Sequence, residues 1–120
     1  MSNSRILIID DDASIREILK EYLEQLGFQV KTAADGLEGL DFIQQQNYDL
    51  IVLDIRLPYV SGIGLIKVAR KINPEVPIIS ITAYGKHPEK TAQHEATLVV
   101  PKPFQLDGLS RKINNLLTKS

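Results

Sequence analysis

"RILIIDDDASIREILKEYLEQLG", residues 5–27, carries the fold in miniature. Four apolar residues, Ile6 to Ile9, run straight into three aspartates, Asp10, Asp11 and Asp12. Then Ile15, Ile18, Leu19, Tyr22, Leu23 and Leu26 recur at i, i+3, i+4, i+7, i+8 and i+11, and Gly27 supplies a helical stop. An unbroken apolar strand is one covered on both faces, and a strand turning directly into an amphipathic helix is one unit of a parallel α/β sheet. The acidic turn is the anomaly. Adjacent carboxylates repel one another, and partly buried ones have their pKa values pushed upward unless a cation sits among them.

The unit repeats along the chain. Four more short apolar runs follow: "FQVKTA" (28–33), "DLIVL" (49–53), "VPIISIT" (76–82) and "ATLVV" (96–100). Of these "FQVKTA" alternates polar and apolar as an edge strand does. Helical periods intervene, marked by Leu37, Leu40 and Ile43, by Leu65, Ile66, Ala69 and Ile72 up to "NPEVP", and by Leu106, Leu109, Ile113, Leu116 and Leu117. The segment "YGKHPEKTAQHEA" (84–96) holds Pro88 and few apolar residues, so it predicts a short or irregular fourth helix. Strands alternating with helices predict a (βα)₅ doubly wound domain over residues 1–120, a five-stranded parallel sheet with helices on both faces joined by right-handed crossovers. In such sheets the functional site lies outside the C-terminal strand ends.

Bulk properties narrow the function. A length of 120 residues suits one domain, and 43% hydrophobic with 24% charged residues suits a globular one. A net charge of −1 with no basic run gives no support to nucleic-acid binding. The absence of cysteine excludes disulfides and thiolate metal sites. No signal peptide and no membrane-length apolar run is evident, so a cytoplasmic protein is expected.

The strand ends then gather a consistent chemistry. The first ends in Asp10, Asp11 and Asp12, the third in Asp54, the fourth in Thr82 and Ala83, and the fifth in Pro101, Lys102 and Pro103. Carboxylates without Cys or paired His suit a hard cation such as Mg²⁺. A lysine and a hydroxyl beside them suit phosphoryl transfer, which depends on positioning and charge neutralisation, with Asp54 as a carboxylate nucleophile.

The acidic pair after the first strand, "LDIRLPYVSG" with Asp54, Pro58 and Gly62, "ITAYG" with Thr82 and "PKPF" with Lys102 together resemble the receiver domain of two-component response regulators over essentially the whole chain. The resemblance implies the strand order 2-1-3-4-5. It implies that Asp54 accepts a phosphoryl group from a partner's phosphohistidine, that Thr82 bonds one phosphoryl oxygen and that Lys102 pairs with another. It implies that Mg²⁺, or Mn²⁺ in its place, is bound by Asp11, Asp54 and the backbone carbonyl of Arg56, with Asp10 acting through a bound water, which leaves Asp12 to cap the following helix. A cis peptide between Lys102 and Pro103 is implied as well. Arg56 and Tyr84, two residues past Asp54 and Thr82, flank the site with Ala83 and imply slow self-dephosphorylation. Such a domain is not a free-standing enzyme and acts only on its own aspartyl phosphate. Its partners are a histidine kinase or phosphotransfer domain and a downstream effector domain or protein. Ser14, Ile15, Leu19, Pro103 and Phe104 are the expected contacts.

This chain departs from the family pattern at Val99, where an aromatic that reports the switch with Thr82 is common, and in the shortened Thr82-to-Lys102 spacing. Taken singly, Lys102 reads as a surface lysine, Thr82 as a strand residue, His87 and His94 as surface positions, and the Lys67, Arg70, Lys71 cluster as a solvated helix face. Two other functions fit parts of the pattern. Asp10 and Asp12 in "DDDAS" resemble the nucleophile motif of haloacid-dehalogenase-like phosphatases, but that reading leaves Asp54 idle and lacks the later acid pair. A receiver-like module that never carries phosphate would ordinarily have lost the acids or the lysine, and all are present. An FMN carrier would need a hydroxyl- and glycine-rich loop where this chain places acids.

Overall fold

The computed structural model describes residues 4–57, 59–82 and 96–118, with only the backbone described at Thr82. Five strands, β1 (Arg5–Ile9), β2 (Gln29–Ala33), β3 (Leu50–Asp54), β4 (Ile78–Thr82) and β5 (Leu98–Pro101), form one parallel sheet in the order β2-β1-β3-β4-β5. Among the described residues the helices are α1 (Ala13–Gln25), α2 (Gly36–Gln45), α3 (Gly62–Ile72) and α4 (Leu106–Thr118). The helix expected between β4 and β5, with His87, Pro88 and His94, lies outside the described residues.

Period-two alternation splits the apolar strands between two cores. Ile6, Ile8, Leu50, Val52, Ile79, Ile81 and Val100 face α1 and α4, meeting Leu19, Leu23, Leu109 and Ile113. Leu7, Ile9, Ile51, Leu53 and Ile78 face α2 and α3, meeting Ile43, Leu65, Ile66 and Ala69. Burial on both faces is why β1 and β3 contain no polar residue between their ends. β2 lies at the edge, as its alternation predicts, with Gln29 and Lys31 exposed.

Local chemistry sets the helix ends. Asp12 caps α1, its Oδ1 accepting from the backbone N–H of Ser14 at 2.9 Å and of Ile15 at 3.3 Å. Gly27, at φ 100°, ends that helix in the left-handed conformation. Asp35 caps α2 through Glu38 N–H, and the Glu38 carboxylate reaches back to Ala34 N–H at 2.7 Å. Ser61 caps α3 through Gly64 N–H.

Four stripe positions behave differently from their period. Ile18, Leu26, Leu37 and Ile72 are exposed, Leu26 and Ile72 standing at the C-terminal ends of α1 and α3 and Leu37 in the first turn of α2. Arg70 is likewise not merely a solvated charge. Its guanidinium donates to the carbonyls of Pro74 and Val76 and to Thr97 Oγ1, tying the end of α3 to the starts of β4 and β5.

Candidate functional site

Sheet order brings the ends of β1 and β3 side by side, since these strands are paired neighbours. Asp10 follows β1 and is 1% exposed, and Asp54 ends β3 and is 5% exposed. With exposed Asp11 they present carboxylate oxygens that all lie within 4.8 Å of one another. Lys102, just past β5, reaches across β4 into this cluster. Its ammonium donates to Asp54 Oδ2 at 2.8 Å and stands 3.6 Å from Asp10 Oδ2. The Lys102–Pro103 peptide is cis, as the resemblance implies.

Each acid is held by its own loop. Asp54 Oδ1 accepts from Arg56 N–H at 2.9 Å, and Asp10 Oδ1 accepts from Asp12 N–H at 2.9 Å. Arg16 donates from Nη1 to the Asp10 carbonyl at 2.7 Å, strapping the first turn of α1 to the end of β1. Gly62 closes the loop after Asp54, its N–H bonded to Ile55 O at 3.2 Å. A Cβ there would lie 2.7 Å from Ile55 Cα and 2.8 Å from Asp54 O, so only glycine fits.

Electrostatics show what the site favours. Burial pushes the Asp10 carboxyl above the ordinary 3.8, against the opposing Asp12 N–H and the Lys102 charge, with Asp54 and Asp11 adding repulsion. For Lys102, burial pulls its pKa down, but the hydrogen bond and charge of Asp54 together with Asp10 outweigh it and leave the ammonium above the ordinary 10.5. Asp10 Oδ2 is buried and accepts no hydrogen bond. A buried anionic oxygen with an ammonium at 3.6 Å but no hydrogen bond, beside two further carboxylates, fits a hard divalent cation bound by oxygen.

Most of the predicted site residues therefore converge. Thr82 ends β4 opposite Pro101 of β5, on the same rim. Ala83 and Tyr84 lie outside the described residues. Val99 is half-buried in β5, opposite Ser80. Of the expected partner contacts, Ile15, Leu19, Pro103 and Phe104 line one groove of about 520 Å³ together with Lys102. Leu19 enters it only as floor, being part of the core, and Ser14 is exposed but does not line it. Ile18, 51% exposed, and Leu106 complete the groove. Periodicity assigned both to cores, and only an apolar position at the margin of a stripe hints at such a role. Asp12, the second acid of the phosphatase reading, is spent on capping α1.

This fold, with an acidic rim and a lysine at the strand ends, is that of a receiver domain. The model of the response regulator receiver domain matches residues 6–114, and the chain belongs to that family. It is 37% identical over its whole length to a probable transcriptional regulator, ycf27, of Cyanophora paradoxa, and 35% identical over 97% of its length to the response regulator MprA of Mycobacterium sp. strain KMS. It spans 51% of each, about half the length of these curated relatives. Among solved structures, the Francisella response regulator 1452 receiver domain superposes with a TM-score of 0.89 at 34% identity, covering 96% of this chain and 97% of that one. The response regulator TrrA of Thermotoga maritima, solved in complex with Mg²⁺-BeF, superposes with a TM-score of 0.87 at 38% identity, covering 95% and 99%. The chain is thus a receiver domain of two-component signalling. Among its described residues no helix is long and apolar enough to cross a membrane.

Proposed function

We propose that Asp54 is the phosphoacceptor of this receiver and that residues 1–120 act as one receiver unit. The observation that carries the reading is the Asp54 carboxylate, nearly buried, fixed by Arg56 N–H on one oxygen and by the Lys102 ammonium on the other, within an acidic cluster. An Asp54 oxygen attacks the phosphorus of a phosphohistidine, the N–P bond breaks, the imidazole leaves with its electron pair, and an aspartyl phosphate forms. Lys102 and the Thr82 hydroxyl would hold two oxygens of the transferred group. Asp11, Asp54 and the Arg56 carbonyl would hold Mg²⁺, or Mn²⁺, with Asp10 at one remove, and the cation would neutralise the phosphoryl charge. The catalysis is confined to the domain's own phosphorylation and its reversal.

The donor is a histidine kinase or phosphotransfer domain seated on the groove of Ile15, Ile18, Pro103, Phe104 and Leu106, and the signal passes to an effector domain or protein. We place the chain in the cytoplasm with these donors.

Intact mass after incubation with a small acyl phosphate, with and without Mg²⁺, tests the reading. The expected result is a single Mg²⁺-dependent phosphoryl adduct that Asp54→Ala abolishes. An adduct that persists in Asp54→Ala, or none on a folded protein that binds Mg²⁺, sinks it.

A further inference from the structure

Tyr59 is the one non-glycine residue with positive φ among the described residues, at 72°, and it is 79% exposed. Left-handed backbone is unfavourable for a side chain bearing Cβ, more so for a bulky one, and glycine adopts it freely. Strain of this kind persists only where the surroundings over-determine the backbone. Here they do. Arg56 N–H is bound to Asp54 at one end of the loop, Gly62 lies against Ile55 at the other, and the Val60 carbonyl abuts the Gly36 backbone at the start of α2. The neighbours thus fix the shape at position 59, and glycine would fill it without strain. The aromatic ring meanwhile gains almost no burial that would offset the cost. Nothing in the isolated fold accounts for a tyrosine here.

Its location does. The loop from Asp54 leads to α3, which packs on the same sheet face as α2. The apolar groove of Ile15, Ile18, Phe104 and Leu106 lies on the α1 and α4 side. Asp54, at the end of a central strand, lies between the two. A macromolecule that seats on the groove and brings a phosphorylated imidazole to Asp54 must cover the rim, and Tyr59 stands exposed in the short loop that leaves Asp54 and folds back on Ile55 at Gly62. Exposed aromatics of this kind are the side chains that dominate interface energetics.

We infer that Tyr59 is a specificity-determining contact for the phosphohistidine-bearing protein that phosphorylates this chain, an inference that rests on the phosphoacceptor reading of Asp54. A small acyl phosphate needs only the carboxylate pocket, whereas a protein donor needs the rim. The ratio of the two rates isolates the contact.

The test uses wild type, Tyr59→Gly, Tyr59→Phe and Asp54→Ala, with acetyl phosphate as one donor and, as the other, a phosphorylated histidine-phosphotransfer domain that labels the wild type. Tyr59→Gly is expected to raise Tm by a few degrees and to lower the ratio of protein-donor to acetyl-phosphate kcat/KM by about tenfold or more, while Tyr59→Phe, which keeps the ring, stays within about threefold. A Tyr59→Gly protein with the wild-type ratio, or one with a lowered Tm, overturns the inference. Labelling that survives in Asp54→Ala would instead remove the phosphoacceptor reading beneath it, and the acetyl-phosphate arm shows which of the two has failed.

Discussion

Lys102 and Asp54 lie 48 residues apart in the chain and 2.8 Å apart in the fold, the ammonium donating to Oδ2 of a carboxylate that is otherwise nearly closed off from water. The same ammonium is 3.6 Å from Asp10 Oδ2, so one cation serves two buried acids. Lys102→Met should therefore do more than remove a charge. It leaves both carboxylates without their counter-ion and should destabilise the metal-free protein by about 1–3 kcal/mol, less than a fully buried pair because the lysine is partly solvated. Urea denaturation without divalent ions checks this, and a variant as stable as wild type would show that the pair is solvent-screened.

Asp10→Asn should act in the opposite direction. Burial raises the Asp10 pKa in the folded protein, so the native state holds that proton more tightly than the unfolded chain does. In the metal-free protein stability is then lost as pH rises from the unfolded value near 3.8 through the raised folded one. The amide removes the charge, so Tm at pH 7 should rise by a few degrees and the pH dependence above pH 4 should flatten. Mg²⁺ should stabilise the wild type, by about 2.7 kcal/mol at a hundredfold excess over Kd, and stabilise Asp10→Asn less. Thermal melts over a pH and Mg²⁺ grid measure both. Lys102 sets the alkaline side, where its contribution is complete below 10.5 and is lost as pH rises through its raised value.

Gly62→Ala is expected to cost about 2–4 kcal/mol, because the added methyl meets backbone on two sides, at Ile55 and at the Asp54 carbonyl. Displacement of Asp54 should slow acyl-phosphate labelling as well. A labelling rate and Tm equal to wild type would show that the loop shifts freely.

Arg56→Ala and Tyr84→Ala, changes at the two positions that the family resemblance sets beside the phosphoacceptor, should each shorten the phosphoryl lifetime severalfold. Decay of the phosphorylated mass after donor removal gives the rates. Faster loss from the wild type than from Tyr84→Ala would count against the idea.

Ile18→Asp changes an exposed side chain, so its stability should lie within about 0.5 kcal/mol of wild type. Placed in the apolar groove, the new charge should slow transfer from a phosphohistidine protein about tenfold. Equal transfer rates in the two proteins would move donor docking elsewhere on the rim.

Local patterns in the chain carried the fold. Period two against period 3.6, with Asp12 and Gly27 at the ends of α1, determined which segments are strands and helices, because those preferences are settled within a few residues. The same reading put Asp10, Asp11, Asp54, Thr82 and Lys102 at strand ends, and parallel topology carries all strand ends to one rim. Distances across the rim were not legible, since they depend on which strands become neighbours and how the helices pack. Only the tertiary structure decided that Asp10 Oδ2 lacks a hydrogen bond while Asp54 holds Lys102, and that Ile18 leaves its stripe to line a groove. The left-handed backbone at Tyr59 belongs here too. It is imposed by Gly36 of α2 and Gly62 of α3 closing on the loop from either side, a constraint held in packing between elements and absent from any single stretch of sequence.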